Sequence, residues 1–209
     1  MKEKATRNTT RQREAGAASR EETRRRLLIA AAEEFEAVGY VSATVNRIAT
    51  RAGVSVQTLY LAWGSKRELL RAYLEGTLTP SGAPPEEHFA SQLIPADPAD
   101  VIGQIVRLFR EVAGRSATAW ALYRDAAAVD PAIAEDWQQL QMLRHGTFEI
   151  LVDRIPDTAL RLARPDAVDT AWAIASPDTY DLLVRRAGYS LDRFEEWTVT
   201  TLRAALLAE

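Results

Sequence analysis

The chain has 209 residues, 47% hydrophobic and 26% charged, with no cysteine, which suits one or two globular domains and excludes a disulfide framework and thiol chemistry. The net charge of −3 hides an asymmetry: residues 1–71 hold 14 Lys and Arg against 8 Asp and Glu (+6), and residues 72–209 hold 12 against 21 (−9). A basic first third on an acidic remainder is either a nucleic-acid-binding segment joined to another module or a solvated basic tail.

In chain order, residues 1–18 are rich in Lys, Arg, Thr and Ala and poor in large apolar residues, so a disordered arm is expected there. Ser19 with Glu22 three residues on is a capping box, which predicts a helix start. Leu27, Leu28, Ala31, Phe35 and Val38 follow at helical spacing, and Gly39 is placed to end the helix. Thr44 caps a second helix with Val45, Ile48, Ala49 and Ala52 on its inner face, and Gly53 breaks it. Ser55 caps a third, holding Val56, Leu59 and Tyr60; Ser65 caps a fourth, holding Leu69, Leu70 and Tyr73. These four make one compact unit over 19–75. Residues 76–100 carry Pro80, Pro84, Pro85, Pro95 and Pro98, five of the nine prolines, and read as a linker.

From 101 to 209 the pattern stays helical. Val101 to Val112 forms one helix and Ser116 caps the next. Asp130-Pro131 opens a long helix to about Arg154, since an N-cap followed by proline matches the first helical turn. Arg164-Pro165 opens another, Ser176-Pro177 a shorter one that Gly188 stops, and Ser190 a last one through Leu191, Phe194, Trp197, Thr198, Leu202 and Ala205. No strand alternation or internal repeat appears. The expected class is all-α: a small N-terminal helix-turn-helix domain and a larger helical domain.

The stretch Ile48 to Ala62 carries the function. Ala49 is small where a second helix crosses closely, Gly53 supplies the positive φ that a three-residue turn needs, Val54 plugs the turn, and Leu59 packs back on Ile48. The other face of the second helix presents Val56, Gln57, Thr58 and Leu61 near its N-terminus, the end that a recognition helix offers to base edges. Thr44 and Ser55 aim helix N-termini at phosphates. The arm adds Lys2, Lys4, Arg7, Arg11, Arg13 and Arg20, for DNA or for solvent.

Glu21–Leu74 resembles the N-terminal domain of the tetracycline-repressor (TetR) family. The match is carried by "AAAEEFEAVGY", Thr44, "IATRAGVS", "TLY", and Ser65-Lys66 with Glu68-Leu69-Leu70. The resemblance implies phosphate contacts from Thr44, Tyr60 and Lys66, and base contacts from Asn46, Val56, Gln57 and Leu61, partly also Thr58. Arg47 and Ser55 complete the expected DNA-binding set. The sequence departs from the family after Tyr60, where Leu61-Ala62-Trp63 replaces an aromatic or histidine followed by phenylalanine. Trp63 can fill the phenylalanine's place, and the lost polar groups shift weight to thymine methyls and phosphates. The resemblance further implies a homodimer, double-stranded operator DNA as partner, and a C-terminal effector domain whose last two long helices form the dimer interface.

In that domain Trp120, Tyr123, Trp137, Met142, Phe148 and Trp172 lie at helical spacing, as core or as the lining of a cavity for a flat or apolar compound. The expected effector-binding residues are Trp120, Tyr123, Gln141, Phe148 and Trp172, with Gln104, Arg144 and His145 as further polar candidates. Trp172, Ile174, Phe194, Trp197, Thr201 and Leu202 form a terminal stripe, buried within one chain or, as favoured, between two. His88 and His145 are the only histidines, so no metal or cofactor is expected. "WGSKRE" lacks the glycine spacing of a P-loop, and the carboxylates sit on helical faces beside arginines, so no enzyme is expected. No apolar run approaches the roughly 20 residues of a membrane span and the N-terminus has no signal-peptide core. The sequence therefore reads as a cytoplasmic, ligand-released regulator, most simply a repressor, on an inverted-repeat operator. The alternative is a DNA-binding regulator controlled by a protein partner.

Overall fold

The computed structural model describes residues 2–78 and 85–208, and the chain divides into two compact units, 1–73 and 74–209. In the first unit, α1 (Lys2–Ser42) is helical from its start, including the stretch expected to be a disordered arm. Lys, Glu, Arg, Gln and Ala are strong helix formers, and no proline lies between Lys2 and Ser42 to interrupt them. Ser19 therefore lies inside the helix and caps nothing; its carbonyl accepts the Thr23 hydroxyl at 2.9 Å. Gly39 interrupts α1 with φ 76°, a conformation open to glycine, as expected.

Helix α2 (Val45–Ala52) begins at Thr44, whose side chain accepts the Arg47 N–H, and ends at Gly53 in the left-handed region, φ 67° and ψ 38°. Helix α3 (Val56–Trp63) begins at Ser55, whose side chain accepts the Thr58 N–H. Helix α4 (Lys66–Leu78) follows, with Ser65 Oγ accepting the Glu68 N–H at 3.1 Å. Leu27, Ala31, Phe35, Ile48, Ala49, Leu59, Leu69 and Leu70 are buried and hold this unit together.

In the second unit the expected linker is partly helical: α5 (Pro85–Gln92) lies within it, and residues 79–84 of it lie outside the described residues. Helix α6 (Pro98–Ala127) is a single 30-residue helix. Ser116 does not start a new helix, because its hydroxyl donates to the Val112 carbonyl at 2.8 Å one turn back. Helix α7 (Pro131–Val152) starts at the Asp130 cap, α8 (Arg164–Ile174) at Ala163, α9 (Pro177–Tyr180) at Ser176 and α10 (Leu191–Leu206) at Ser190. A 3₁₀ turn spans Asp157–Ala159, and a π turn at Asp181–Arg186 follows α9. Helix α6 packs on α7, α9 and α10, while α8 packs on α7 and α10. The core between them holds Ile102, Val106, Phe148, Leu151, Ala167, Ala171, Leu202 and Leu206.

Helix C-termini in both units are closed by cations from other helices. Arg26 donates to the Ala52 carbonyl at the end of α2, and Arg24 to that of Ala62 at the end of α3. Lys66 does the same at the end of α1, and Arg115 of α6 reaches Thr77 and Leu78 at the end of α4. Arg164 of α8 closes α7 through Val152 and Ile155. Arg144 of α7 closes α8 through Trp172 and Ala175. A full charge at the negative end of a helix, donating to carbonyls that lack partners, is favourable twice over.

Candidate nucleic-acid interface and effector region

The turn between α2 and α3 is fixed by Gly53, whose N–H bonds the Thr50 carbonyl at 3.1 Å while the Val54 N–H bonds that of Ala49 at 3.0 Å. A Cβ at Gly53 would lie 2.8 Å from the end of Arg26. The turn leaves Thr44, Asn46, Ser55, Gln57, Tyr60 and Leu61 exposed, with Val56 and Thr58 half-buried. Leu61 is 82% exposed and Tyr60 49%. An aliphatic side chain this open on a short helix gains nothing within the unit, and it fits contact with a thymine methyl. Thr58 is less available, because its hydroxyl lies 2.9 Å from Ser55 Oγ inside the cap.

Two expected DNA contacts are engaged elsewhere. Arg47 Nε stands 2.6 Å from Glu34 Oε1, and Arg51 Nη2 stands 3.4 Å from Oε2. Glu34 is 1% exposed, and a carboxylate so buried needs compensating charge. Arg47 supplies charge more than a directed bond, since Oε1 has no well-aligned donor. Lys66 donates to the carbonyls of Tyr40 at 2.8 Å and Ala43 at 2.9 Å, with its ammonium 4.1 Å over the Tyr40 ring. Trp63 is half-buried; its indole N–H donates to the Arg24 carbonyl at 3.1 Å and the Arg24 guanidinium stacks 3.8 Å above the ring. Sequence reading missed Arg24 and Arg26, whose positions three residues and one residue before Leu27 give no sign of the helix ends they reach.

In the second unit the expected effector residues fall into two groups. Trp120 and Tyr123 are buried in the core. Both meet Trp137, Trp120 edge-on at 5.2 Å and Tyr123 stacked at 6.3 Å. The Tyr123 hydroxyl donates to buried Asp136 at 3.0 Å. Gln141, Phe148 and Trp172 gather instead around Arg144. Its Nε donates to Gln141 at 3.4 Å, and its guanidinium carbon stands 4.9 Å from the Trp172 ring and 5.6 Å from the Phe148 ring. Burial pushes the Arg144 pKa down to about 10. Trp172 Nε1 is buried with no acceptor, a cost of about 1–3 kcal/mol. His145 is held between Asp169 at 2.7 Å and Glu149 at 3.3 Å. Gln104 ties down the Ile94 backbone through both its amide atoms.

A groove of about 770 Å³ runs instead along the outer side of α7, lined by Gln138, Gln139, Met142, Leu143, Gly146, Thr147, Glu149 and Ile150, with none of the five expected effector residues. Met142, Leu143 and Ile150 are exposed there. Of the expected dimer stripe, Phe194 and Leu202 are fully buried within one chain, and Trp172, Trp197 and Thr201 are half-buried. Phe194 belongs to a cluster with Ala113 and Tyr180, and Leu202 to the main core, so the inner face of α10 is already covered. Among the described residues no helix is long and apolar enough to cross a membrane, and no three His, Asp or Glu side chains are grouped to hold a metal ion.

Residues 27–73 match the family model described as bacterial regulatory proteins, tetR family. No curated protein sequence matches the chain. Among solved structures, NalD, the secondary repressor of the MexAB-OprM multidrug efflux pump in Pseudomonas aeruginosa, is similar at 18% identity, covering 91% of this chain and 99% of its own, with a TM-score of 0.68. SmeT, solved in complex with triclosan, is similar at 20% identity, covering 90% of this chain and 92% of its own, also with a TM-score of 0.68. At these identities the likeness is one of fold.

Proposed function

We propose that this chain, a member of the tetR family of bacterial regulatory proteins through its N-terminal domain, is a one-component repressor that binds an inverted-repeat operator as a homodimer and is released by a small apolar or aromatic molecule. The observation that carries the reading is the α2–turn–α3 unit, with Gln57, Tyr60 and Leu61 presented outward from a helix capped at Ser55. Asn46 and Val56 read bases beside them, while Thr44 and Tyr60 hold phosphates. NalD is a repressor and SmeT has been captured with triclosan, which supports the same use of the fold here. The protein acts in the cytoplasm and catalyses no reaction.

A single recognition helix reads one half-site, so an inverted repeat requires a second copy. The face of α7 bearing Met142, Leu143, Gly146 and Ile150 suits that role better than α10. It is apolar and uncovered, whereas Phe194 and Leu202 are spent within the protomer. Such a face meets its own counterpart across a two-fold axis. Release runs through α4, inside which the chain passes from one unit to the other. Arg115, on the helix that carries Trp120 and Tyr123, holds the last carbonyls of α4 at 3.3 Å. A ligand that displaces α6 therefore moves α4.

Gel-shift against the DNA upstream of its own gene tests the reading: retarded, sequence-selective complexes are expected, and binding no tighter than to random DNA overturns it. Control by a protein partner is the second reading, favoured by the exposed apolar side chains of Met142, Leu143 and Ile150 on α7, which a partner protein would cover. A ligand-induced rise in melting temperature separates the two.

A further inference from the structure

The corner between α7 and α8 is rich in donors and short of acceptors. Arg144 spends its Nε on Gln141 and its Nη1 on the carbonyls of Trp172 and Ala175, but Nη2 makes no hydrogen bond among the described residues. Those carbonyls and the Gln141 amide carry partial charges only, and no carboxylate among the described residues pairs with the guanidinium. Asp178, the acid whose field reaches it, is bonded to Arg124 at 2.8 Å. Beside the cation, the Trp172 indole N–H is sealed from solvent and has no acceptor. Phe148 and the Trp172 ring flank the guanidinium with apolar surface. A cation without a carboxylate partner and an orphan N–H side by side suit one further partner: an anionic oxygen on an apolar frame. The aromatic group at Trp120 and Trp137 differs, since its buried polar atom, Asp136, already accepts from Tyr123.

We propose that this corner anchors an effector bearing a carboxylate or phenolate on an aromatic frame, with Arg144 as its ion partner, Trp172 Nε1 as a second donor and Phe148 as an apolar wall. This rests on the small-molecule reading above and names the chemistry of the molecule. A neutral amide on the same frame offers these donors a carbonyl oxygen but no charge for Arg144, so the site discriminates by charge as well as by shape.

The test compares matched acids and amides that share a frame: benzoate with benzamide, 2-naphthoate with 2-naphthamide, and indole-3-acetate with indole-3-acetamide. Each is titrated into the full chain by melting temperature and by calorimetry. At least one acid should bind about tenfold or more tighter than its amide, as expected for a charge-assisted bond. Arg144→Gln should erase that advantage. Because Arg144 also closes α8, Trp172→Phe provides a second test: it removes the N–H, keeps an aromatic side chain, and should lower acid affinity more than amide affinity, which shrinks the advantage. Equal binding of acid and amide in every pair, or an advantage intact in both variants, overturns the proposal. If amides bind and release operator as well as acids do, the effector reading survives and the acid subsite falls. If no compound of either kind binds while operator binding persists, both fall and the protein-partner reading takes their place.

Discussion

Lys66 Nζ lies 2.8 Å from the carbonyl oxygen of Tyr40 and 2.9 Å from that of Ala43, so the ammonium at the start of α4 closes the end of α1. Lys66→Ala strips the donor from both partly buried carbonyls, which costs about 1–3 kcal/mol of stability. The variant should melt earlier than the parent, and it should also lose affinity for operator and for random DNA alike. An unchanged melting temperature with reduced DNA affinity would return Lys66 to the role of a phosphate contact alone.

Gln57 is exposed on α3 and touches nothing the unit needs. Gln57→Ala should leave the melting temperature unchanged, weaken operator binding by about 1–3 kcal/mol and relax preference at one base position in each half-site. Binding selections with randomised half-sites read that position directly.

Met142→Glu sets a charge on the exposed apolar face of α7, where a folded monomer tolerates it. Light scattering should show monomers with helical content retained, and operator affinity should collapse. Phe194→Ala should behave otherwise: it opens a cavity inside one chain and costs about 3–5 kcal/mol of stability. A dimer that survives Met142→Glu and still binds operator would move the interface off α7.

Arg115→Ala removes the bond between α6 and the last carbonyls of α4. Effector affinity measured without DNA should change little, while the effector's power to release operator should shrink from the 5- to 150-fold range typical of such coupling, roughly, toward unity. Titrations of effector with and without operator measure the coupling from both directions, because linkage is reciprocal. Full release by the variant would exclude Arg115 from the path.

Gly53→Ala forces a side chain into the left-handed region beside Arg26, at a cost of about 1–2 kcal/mol. Because that turn sets the angle between α2 and α3, DNA affinity should fall together with melting temperature. The two are read in one series with Lys66→Ala.

Thr44, Ser55, Asp130 and Ser190 could be read from the sequence because capping is local: a side-chain oxygen meets an N–H two or three residues on, and nothing distant intervenes; Gly53 could be read because its turn needs a positive φ. Ser19 and Ser116 carry the same chemistry but sit inside helices, where Ser116 bonds backward to Val112; residue type alone does not separate the two uses. Charge counting found the basic first third, but a count names no partners. Arg24, Arg26, Arg47, Arg51 and Lys66 all pair with carbonyls or carboxylates of their own unit. The operator's salt dependence should accordingly be shallower than the net +6 of residues 1–71 implies. The stripe on α10 was legible as apolar, yet Phe194 and Leu202 gave no sign of which surface would cover them. Met142, Leu143 and Ile150 were obscured because α7 is apolar on two sides.

Arg144 of α7 closes α8, and Arg164 of α8 closes α7. Neither helix can leave without uncapping the other, so fraying at either end removes the cation from its neighbour. The pair opens as one cooperative unit rather than as two independent rods. In native-state hydrogen exchange, amides in the last turns of α7 and α8 should therefore share one opening free energy, and substituting either arginine should lower it in both helices together.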